Sequence, residues 1–153
     1  MNSKIKLALY SCLFVVALPF SASADLPGKH PAYLHALSDL RAARWMLEHS
    51  PGDRAVSSHE DEAINEIDHA IEEFRKAAID DGKSLHDHPN VDLPKEHSGR
   101  LHRAAELLRK VHQDTNQEED DPSARGLKHR AIGHVDNALD ATEHAIRDVE
   151  HHH

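Results

Sequence analysis

Apolar side chains recur every three or four residues in four stretches of the chain, a spacing that places them on one face of an α-helix. The second and fourth stretches show this most clearly, with Ile64, Ile67, Ile71, Phe74 and Ala78 in one and Ile132, Val135, Leu139, Thr142 and Ile146 in the other. The first and third are marked by Tyr33, Leu37, Leu40 and Leu47 and by Leu101, Ala104, Ala105, Leu108 and Val111. No stretch alternates apolar and polar residues as a half-buried strand does. The pattern therefore predicts four helices and no sheet.

Residues typical of helix ends flank these stretches. Ser57, followed three residues later by Glu60, forms a capping-box start for the second helix. Gly82 is a stop signal after that helix. Asp121 and Pro122 suit the N-cap and the first position of the fourth helix.

The second half of the chain repeats the first. Leu34-His35 aligns with Leu101-His102 at an offset of 67. The run Ala63-Ile64-x-x-Ile67-Asp68 aligns with Ala131-Ile132-x-x-Val135-Asp136 at an offset of 68. Each half is thus a helical hairpin, at about residues 30–80 and 97–150, and neither hairpin buries its apolar stripe alone. We expect an all-α fold, a four-helix bundle built from two duplicated hairpins and running up-down-up-down. The polar His- and Asp-rich linker at residues 80–97 is expected to be an exposed loop.

The first 24 residues have the features of a secretory signal peptide. Lys4 and Lys6 precede an apolar run, and small residues precede Asp25. We therefore expect a single domain at residues 25–153 in a periplasmic or secreted protein. Loss of the two lysines changes the formal net charge from -9 to -11, and the only cysteine, Cys12, is lost with them. A chain without a thiol has no disulfide, no Cys-based zinc site and no covalent haem attachment.

Charge and composition argue against two classes of partner. An acidic chain with few aromatic residues lacks both the phosphate-binding charge and the stacking groups that nucleic-acid binding uses. The apolar run of the signal is too short for a membrane span, and no basic helix face suits an anionic bilayer surface. We expect no nucleic acid partner and no membrane insertion after signal cleavage.

The excess of histidine is the main indication of function, because 16 histidines in 153 residues is far above ordinary usage. At 100° per residue most imidazoles fall away from the apolar stripes, which predicts an aliphatic interior with imidazoles outside. A ferritin-like di-metal site needs inward Glu-x-x-His motifs, whereas Glu66 and His69 point outward. Met46 is also expected to face outward, so no inward haem ligand is evident. We expect neither haem nor nucleotide, and no enzymatic activity.

Imidazole and carboxylate groups are ligands for Cu(II), Ni(II) and Zn(II), and several are spaced so that two could act together. His-x-His in the linker, His and carboxylate one helical turn apart, and the histidines at the end of the sequence are three such arrangements. The candidate ligands are His35, Asp39, Glu66, His69, His86, His88, Asp92, His102, Glu106, His144, His151, His152 and His153.

The repeated Leu-His and Ala-Ile-x-x-Ile-Asp elements, in a secreted His-rich helical chain, resemble the bacterial periplasmic small metal-binding protein family. The resemblance covers the composition and the four helical segments. It implies metal sequestration in the periplasm.

Two functions remain open from the sequence. The first is non-enzymatic binding and buffering of divalent transition-metal ions at exposed His and carboxylate groups. The second is an interaction module of the cell envelope that binds a protein partner and whose surface histidines respond to pH.

Overall fold

The protein is a four-helix, all-α bundle. The computed structural model describes residues 31–49, 57–77, 82–92, 94–116 and 125–151, and these ranges contain no strand. The helices are α1 (Pro31–Glu48), α2 (Ser58–Ala77), α3 (His97–Asn116) and α4 (Arg125–His151). The predicted signal peptide and the predicted Asp121-Pro122 helix start lie outside the described residues. The predicted fold class is confirmed.

The order of the helix directions differs from the predicted up-down-up-down arrangement. Helix α1 packs against α2 and α3, and α4 packs against the same two helices, so α2 and α3 lie diagonally opposite each other. His97 at the start of α3 contacts Glu60 at the start of α2, so these two helices begin at the same end of the bundle. The directions are therefore up, down, down, up.

The length of the linker permits this arrangement. Nineteen residues separate Ala77 from His97, and an extended chain of that length spans about 60 Å, twice the roughly 30 Å length of a 20-residue helix. The linker is therefore long enough to return along the whole bundle before α3 begins. Every pair of packed helices is still antiparallel, because α1 and α4 run opposite to the diagonal pair α2 and α3.

In each hairpin a basic side chain of the first helix contacts an Asp of the second helix. Arg44 of α1 donates two hydrogen bonds to the carboxylate of Asp68 in α2, at 2.6 and 3.3 Å. The matched Asp136 of α4 lies 2.6 Å from Nδ1 of His112 in α3, and His112 is one residue beyond the position that the offset of 67 between α1 and α3 assigns to Arg44. The matched Asp residues of the sequence repeat therefore hold the two hairpins by the same type of contact.

The four apolar stripes meet in one core. The fully buried members include Leu37 of α1, Ile67 and Phe74 of α2 and Leu108 of α3. Small side chains line the contact between α2 and α4, where Ala63, Ala70, Ala131, Ala138 and Ala145 are all buried. Small residues let two helices approach closely, so this seam fixes how α2 and α4 lie against each other.

Two expectations about the interior need correction. Met46 was expected to face outward, but it is 1% exposed and belongs to the core. The interior is not wholly aliphatic either, because Arg41, Glu60 and Arg100 are each at most 1% exposed. The apolar pattern of a single helix identifies its main buried face. It does not show which of its other faces are covered by the linker and by the neighbouring helices.

Residues 82–92, which we name the strap, run along the outside of the bundle in irregular structure. Leu85 and Val91 pack against the core, and the carbonyl of Lys83 accepts a hydrogen bond of 3.4 Å from the buried Arg41. Gly82, at the start of the strap, has a φ of +69°, which a glycine adopts without strain. The predicted exposed loop is thus partly packed on the helices.

A polar network closes the end of the bundle where α2 and α3 begin. Ser57 Oγ accepts from the Glu60 amide at 3.2 Å, and Glu60 Oε2 accepts from the Ser57 amide at 2.7 Å, which is the reciprocal capping box predicted from the sequence. Glu60 Oε1 contacts the ring of His97. Burial lowers the pKa of Arg100 below its ordinary value, and the nearby negative charge of Glu60 partly offsets this.

Removal of the cap hydroxyl should destabilise the bundle. Ser57→Ala leaves the Glu60 amide without its acceptor, and we expect a loss of about 1 kcal/mol in the free energy of unfolding, measured by urea denaturation. Ser58→Ala is the control because Ser58 is exposed, and its expected change is below about 0.5 kcal/mol. Equal losses in the two variants would contradict the capping role.

Substitution by alanine should change the free energy of unfolding differently at two helical glycines. Gly133 in α4 is exposed, and an added Cβ would have no neighbour within 4 Å, so Gly133→Ala should raise the unfolding free energy by about 0.5–1 kcal/mol. At Gly99 in α3 the added Cβ would lie 3.0 Å from Cβ of Pro94, so Gly99→Ala should give no gain or a loss. A stabilising Gly99→Ala variant in the same denaturation assay would show that the packing of Pro94 on α3 is not tight.

Candidate metal-binding surface

None of the histidines in the described ranges is buried, although several are half-covered by neighbouring helices. His97 is the most enclosed of those in ion pairs, with 19% of its side chain exposed beside Glu60. The imidazoles therefore lie outside the apolar core, as the helical pattern predicts.

Four of these histidines meet in pairs along the contact between α2 and α4. His59 and His69 lie ten residues apart on α2, and His134 and His144 lie ten residues apart on α4. Because the two helices are antiparallel, His59 faces His144 and His69 faces His134. Ten residues of helix span about 15 Å, which is the separation of the two pairs. We name this face the imidazole surface, defined by His59, His69, His134 and His144 with the carboxylates of Glu62, Glu66, Asp140 and Asp148.

The first pair lies where α2 begins. The ring centroids of His59 and His144 are 5.2 Å apart. His59 Nδ1 lies 2.8 Å from a carboxylate oxygen of Asp148, and His144 Nε2 lies 3.9 Å from a carboxylate oxygen of Asp140. Both histidines line a groove of about 350 Å³, together with Glu62.

The second pair lies nearer the middle of the bundle. The ring centroids of His69 and His134 are also 5.2 Å apart. His134 Nδ1 lies 2.7 Å from Glu66 Oε2, and the amide of Asn137 donates to the same oxygen at 3.4 Å.

One ring of each pair is oriented by a carboxylate. An ionised carboxylate only accepts hydrogen bonds, so Nδ1 of His59 and of His134 carries the proton. In the neutral ring the lone pair is then on Nε2. A histidine that donates one N–H to a carboxylate and offers its other nitrogen is the usual arrangement of a metal-ligating imidazole.

The structure separates several pairs that the sequence placed together. Asp39, one turn from the exposed His35, binds Lys110 at 2.5 Å. Burial alone would lower the pKa of Lys110, but Asp39 and Asp114 outweigh it and raise the pKa. Asp39 is therefore engaged by a cation.

Glu106 is engaged in the same way. It binds Arg103 at 2.7 Å, while the nearby His102 lies 3.4 Å from Glu150 of α4 instead. In the two i,i+4 pairs at equivalent repeat positions, His35 with Asp39 and His102 with Glu106, the carboxylate thus binds a lysine or an arginine instead of the imidazole.

In the strap, His86 and His88 do not face one ion. His86 lies nearest Glu48, whereas the ring of His88 stacks on Trp45 with centroids 4.3 Å apart. Asp92 is exposed. At the end of α4, His151 is exposed, and His152 and His153 lie outside the described residues.

Sequence reasoning missed His59, His134 and Asp148 as candidate ligands. Asp148 lies one turn after His144, and Glu62 lies one turn after His59, so spacing within one helix offered a signal for Asp148 and His59, whereas His134 has no His, Asp or Glu one turn away. The two histidines of α2 and the two of α4 are each ten residues apart. Combined with antiparallel packing of these helices, this shared interval is the signal that could have paired His59 with His144 and His134 with His69.

Among the described residues, no group of three or more His, Asp or Glu side chains is already arranged around one point so as to hold a metal ion. No helix in the described ranges combines the length and apolar character needed to cross a bilayer. No protein-family model, curated protein or solved structure matches this chain.

Proposed function

We propose that this protein is a non-enzymatic binder and buffer of divalent transition-metal ions, with its principal sites on the imidazole surface. The observation that carries the proposal is the pairing of four histidines across α2 and α4, each pair with centroids 5.2 Å apart and one ring held by a carboxylate. Each pair supplies two nitrogen ligands, and water fills the remaining positions of the ion.

The ligand set favours particular metals. Neutral imidazole with carboxylate suits Cu(II), Ni(II) and Zn(II), and the chain after residue 24 has no thiolate to favour soft ions. Two protein ligands on an exposed face give weak to moderate affinity, which suits exchange and buffering rather than permanent retention. The acidic net charge supports accumulation of cations near the surface. A periplasmic location, which the signal-like N-terminal segment and the family resemblance favour, is part of this proposal.

A metal titration tests the proposal. The chain is purified without a tag and with His151, His152 and His153 changed to alanine, which removes the terminal cluster. In calorimetric titration with Zn(II), we expect the number of bound ions to fall by one in His59→Ala/His144→Ala, because one imidazole pair is lost. We expect the same fall in His69→Ala/His134→Ala.

The matched control is His35→Ala/His102→Ala, which removes two exposed imidazoles from outside the imidazole surface. Its stoichiometry and affinity should equal those of the parent chain. Binding that falls equally in all three double variants would show that histidines act without regard to position. Binding of less than one Zn(II) ion per chain at micromolar concentration would contradict the proposed metal-binding function.

The second candidate is a cell-envelope interaction module with pH-responsive surface histidines. One observation favours it, because several imidazoles contact carboxylates from another helix, among them His59, His102, His112 and His134. Protonation of these rings changes the charge at the helix contacts as well as on the outer faces.

The pH response is measured without metal. If the protein is such a module, its self-association by light scattering should change between pH 7.5 and pH 5 in the presence of a chelator, because up to 16 positive charges are added to an acidic chain. An identical oligomeric state at both pH values would contradict this second candidate and leave the metal-binding proposal unaffected.

A further inference from the structure

The strap meets the last turn of α1 around Trp45, the only tryptophan of the chain. The indole is half-buried and has two imidazole neighbours, with ring centroids 4.3 Å away for His88 and 4.7 Å away for His49. His86 of the strap and Glu48 of α1 lie beside this contact. These groups belong to α1 and the strap, whereas the imidazole surface is formed by α2 and α4.

Glu48 and His86 leave a gap that a metal ion fits. His86 Nδ1 lies 3.9 Å from Glu48 Oε2, which is too long for a hydrogen bond. Metal–nitrogen and metal–oxygen bonds of about 2.1 Å place two ligand atoms of one ion about 3 to 4.2 Å apart, depending on the angle between the bonds. The observed separation lies in that range.

The Glu48 carboxylate is already fixed for this role. Its Oε1 binds Arg44 Nη1 at 2.5 Å, and Arg44 is held in turn by Asp68. Carboxylates that bind metals are commonly oriented by such a second contact, which here leaves Oε2 facing His86.

His49 and His88 flank the indole as fixed rings. Each places Nδ1 2.9 Å from a backbone carbonyl, that of Trp45 for His49 and that of Pro89 for His88. A carbonyl only accepts, so both rings donate from Nδ1. These contacts hold the strap residue His88 on the indole and thereby keep His86 next to Glu48.

We propose that Glu48 and His86 bind one divalent transition-metal ion, Cu(II) in particular, and that this ion fastens the strap to α1. The site is distinct from the imidazole surface and joins a linker residue to a helix residue instead of joining two helices. The strap covers the buried Arg41 through the carbonyl of Lys83 and packs Leu85 on the core. An ion at Glu48 and His86 therefore stabilises the cover over that side of the bundle.

Trp45 reports on this site directly, because paramagnetic Cu(II) bound one turn away quenches indole emission. The full chain without a tag is titrated with Cu(II) in a buffer that does not coordinate metals. We expect saturable quenching whose midpoint rises at least about tenfold in Glu48→Gln and in His86→Ala, since each removes one of two ligands. Zn(II), which is not paramagnetic, should compete with Cu(II) and reverse the quenching.

The control is His59→Ala/His144→Ala, which removes a pair on the imidazole surface and should leave the quenching midpoint, expressed as the concentration of free Cu(II), unchanged. Unchanged midpoints in Glu48→Gln and His86→Ala would overturn the proposal. Quenching that is lost in His88→Ala but kept in His86→Ala would also overturn it, because the ion would then lie on the stacked ring. Quenching is separate from the Zn(II) stoichiometry of the imidazole surface, so either site can fail while the other stands.

Discussion

The packing of α2 against α4 is the constraint on which the rest of the structure depends. Buried alanines on both helices allow a close, antiparallel contact, and Ile67 of α2 and Val135 of α4 are fully buried. This contact sets which residue of one helix faces which residue of the other. A shift of one turn along the seam would separate His59 from His144 and His69 from His134, so the core determines the chemistry available on the surface.

The sequence repeat places matched positions of α2 and α4 on the two sides of that seam. Glu66 and His134 occupy equivalent positions, since they differ by the repeat offset of 68, and they contact each other. Contacts between matched positions of two repeats arise where the matched helices cross near a twofold axis that relates the repeats. The basic partner of the matched Asp differs between the hairpins, because Asp68 contacts Arg44 whereas Asp136 contacts His112. The imidazole of His112 is therefore engaged in a contact between α3 and α4.

The sequence was sufficient for the helices, the capping box at Ser57 and Glu60, and the outward position of the histidines, because each depends on the periodicity of one helix or on a local pattern. It was not sufficient for the helix directions, because a linker as long as the one between Ala77 and His97 permits either choice. The candidate ligands were proposed within single helices. There, i,i+4 carboxylates such as Asp39 and Glu106 bind lysine or arginine, whereas the closest imidazole pairs form between helices. The burial of Met46 and the packing of the strap could not be predicted for the same reason. Each depends on another segment of the chain, which the local pattern of apolar residues does not reveal.

The central claim is that the α2–α4 contact lets two imidazoles share one ion. Pulsed electron paramagnetic resonance of the tag-free protein loaded with one equivalent of Cu(II), with the terminal histidines and His86 changed to alanine, counts the imidazole nitrogens bound to the ion. The account predicts two imidazoles per Cu(II), falling to one when both His144 and His134 are changed to alanine. A single imidazole in the parent protein, with a spectrum that these substitutions leave unchanged, would contradict it.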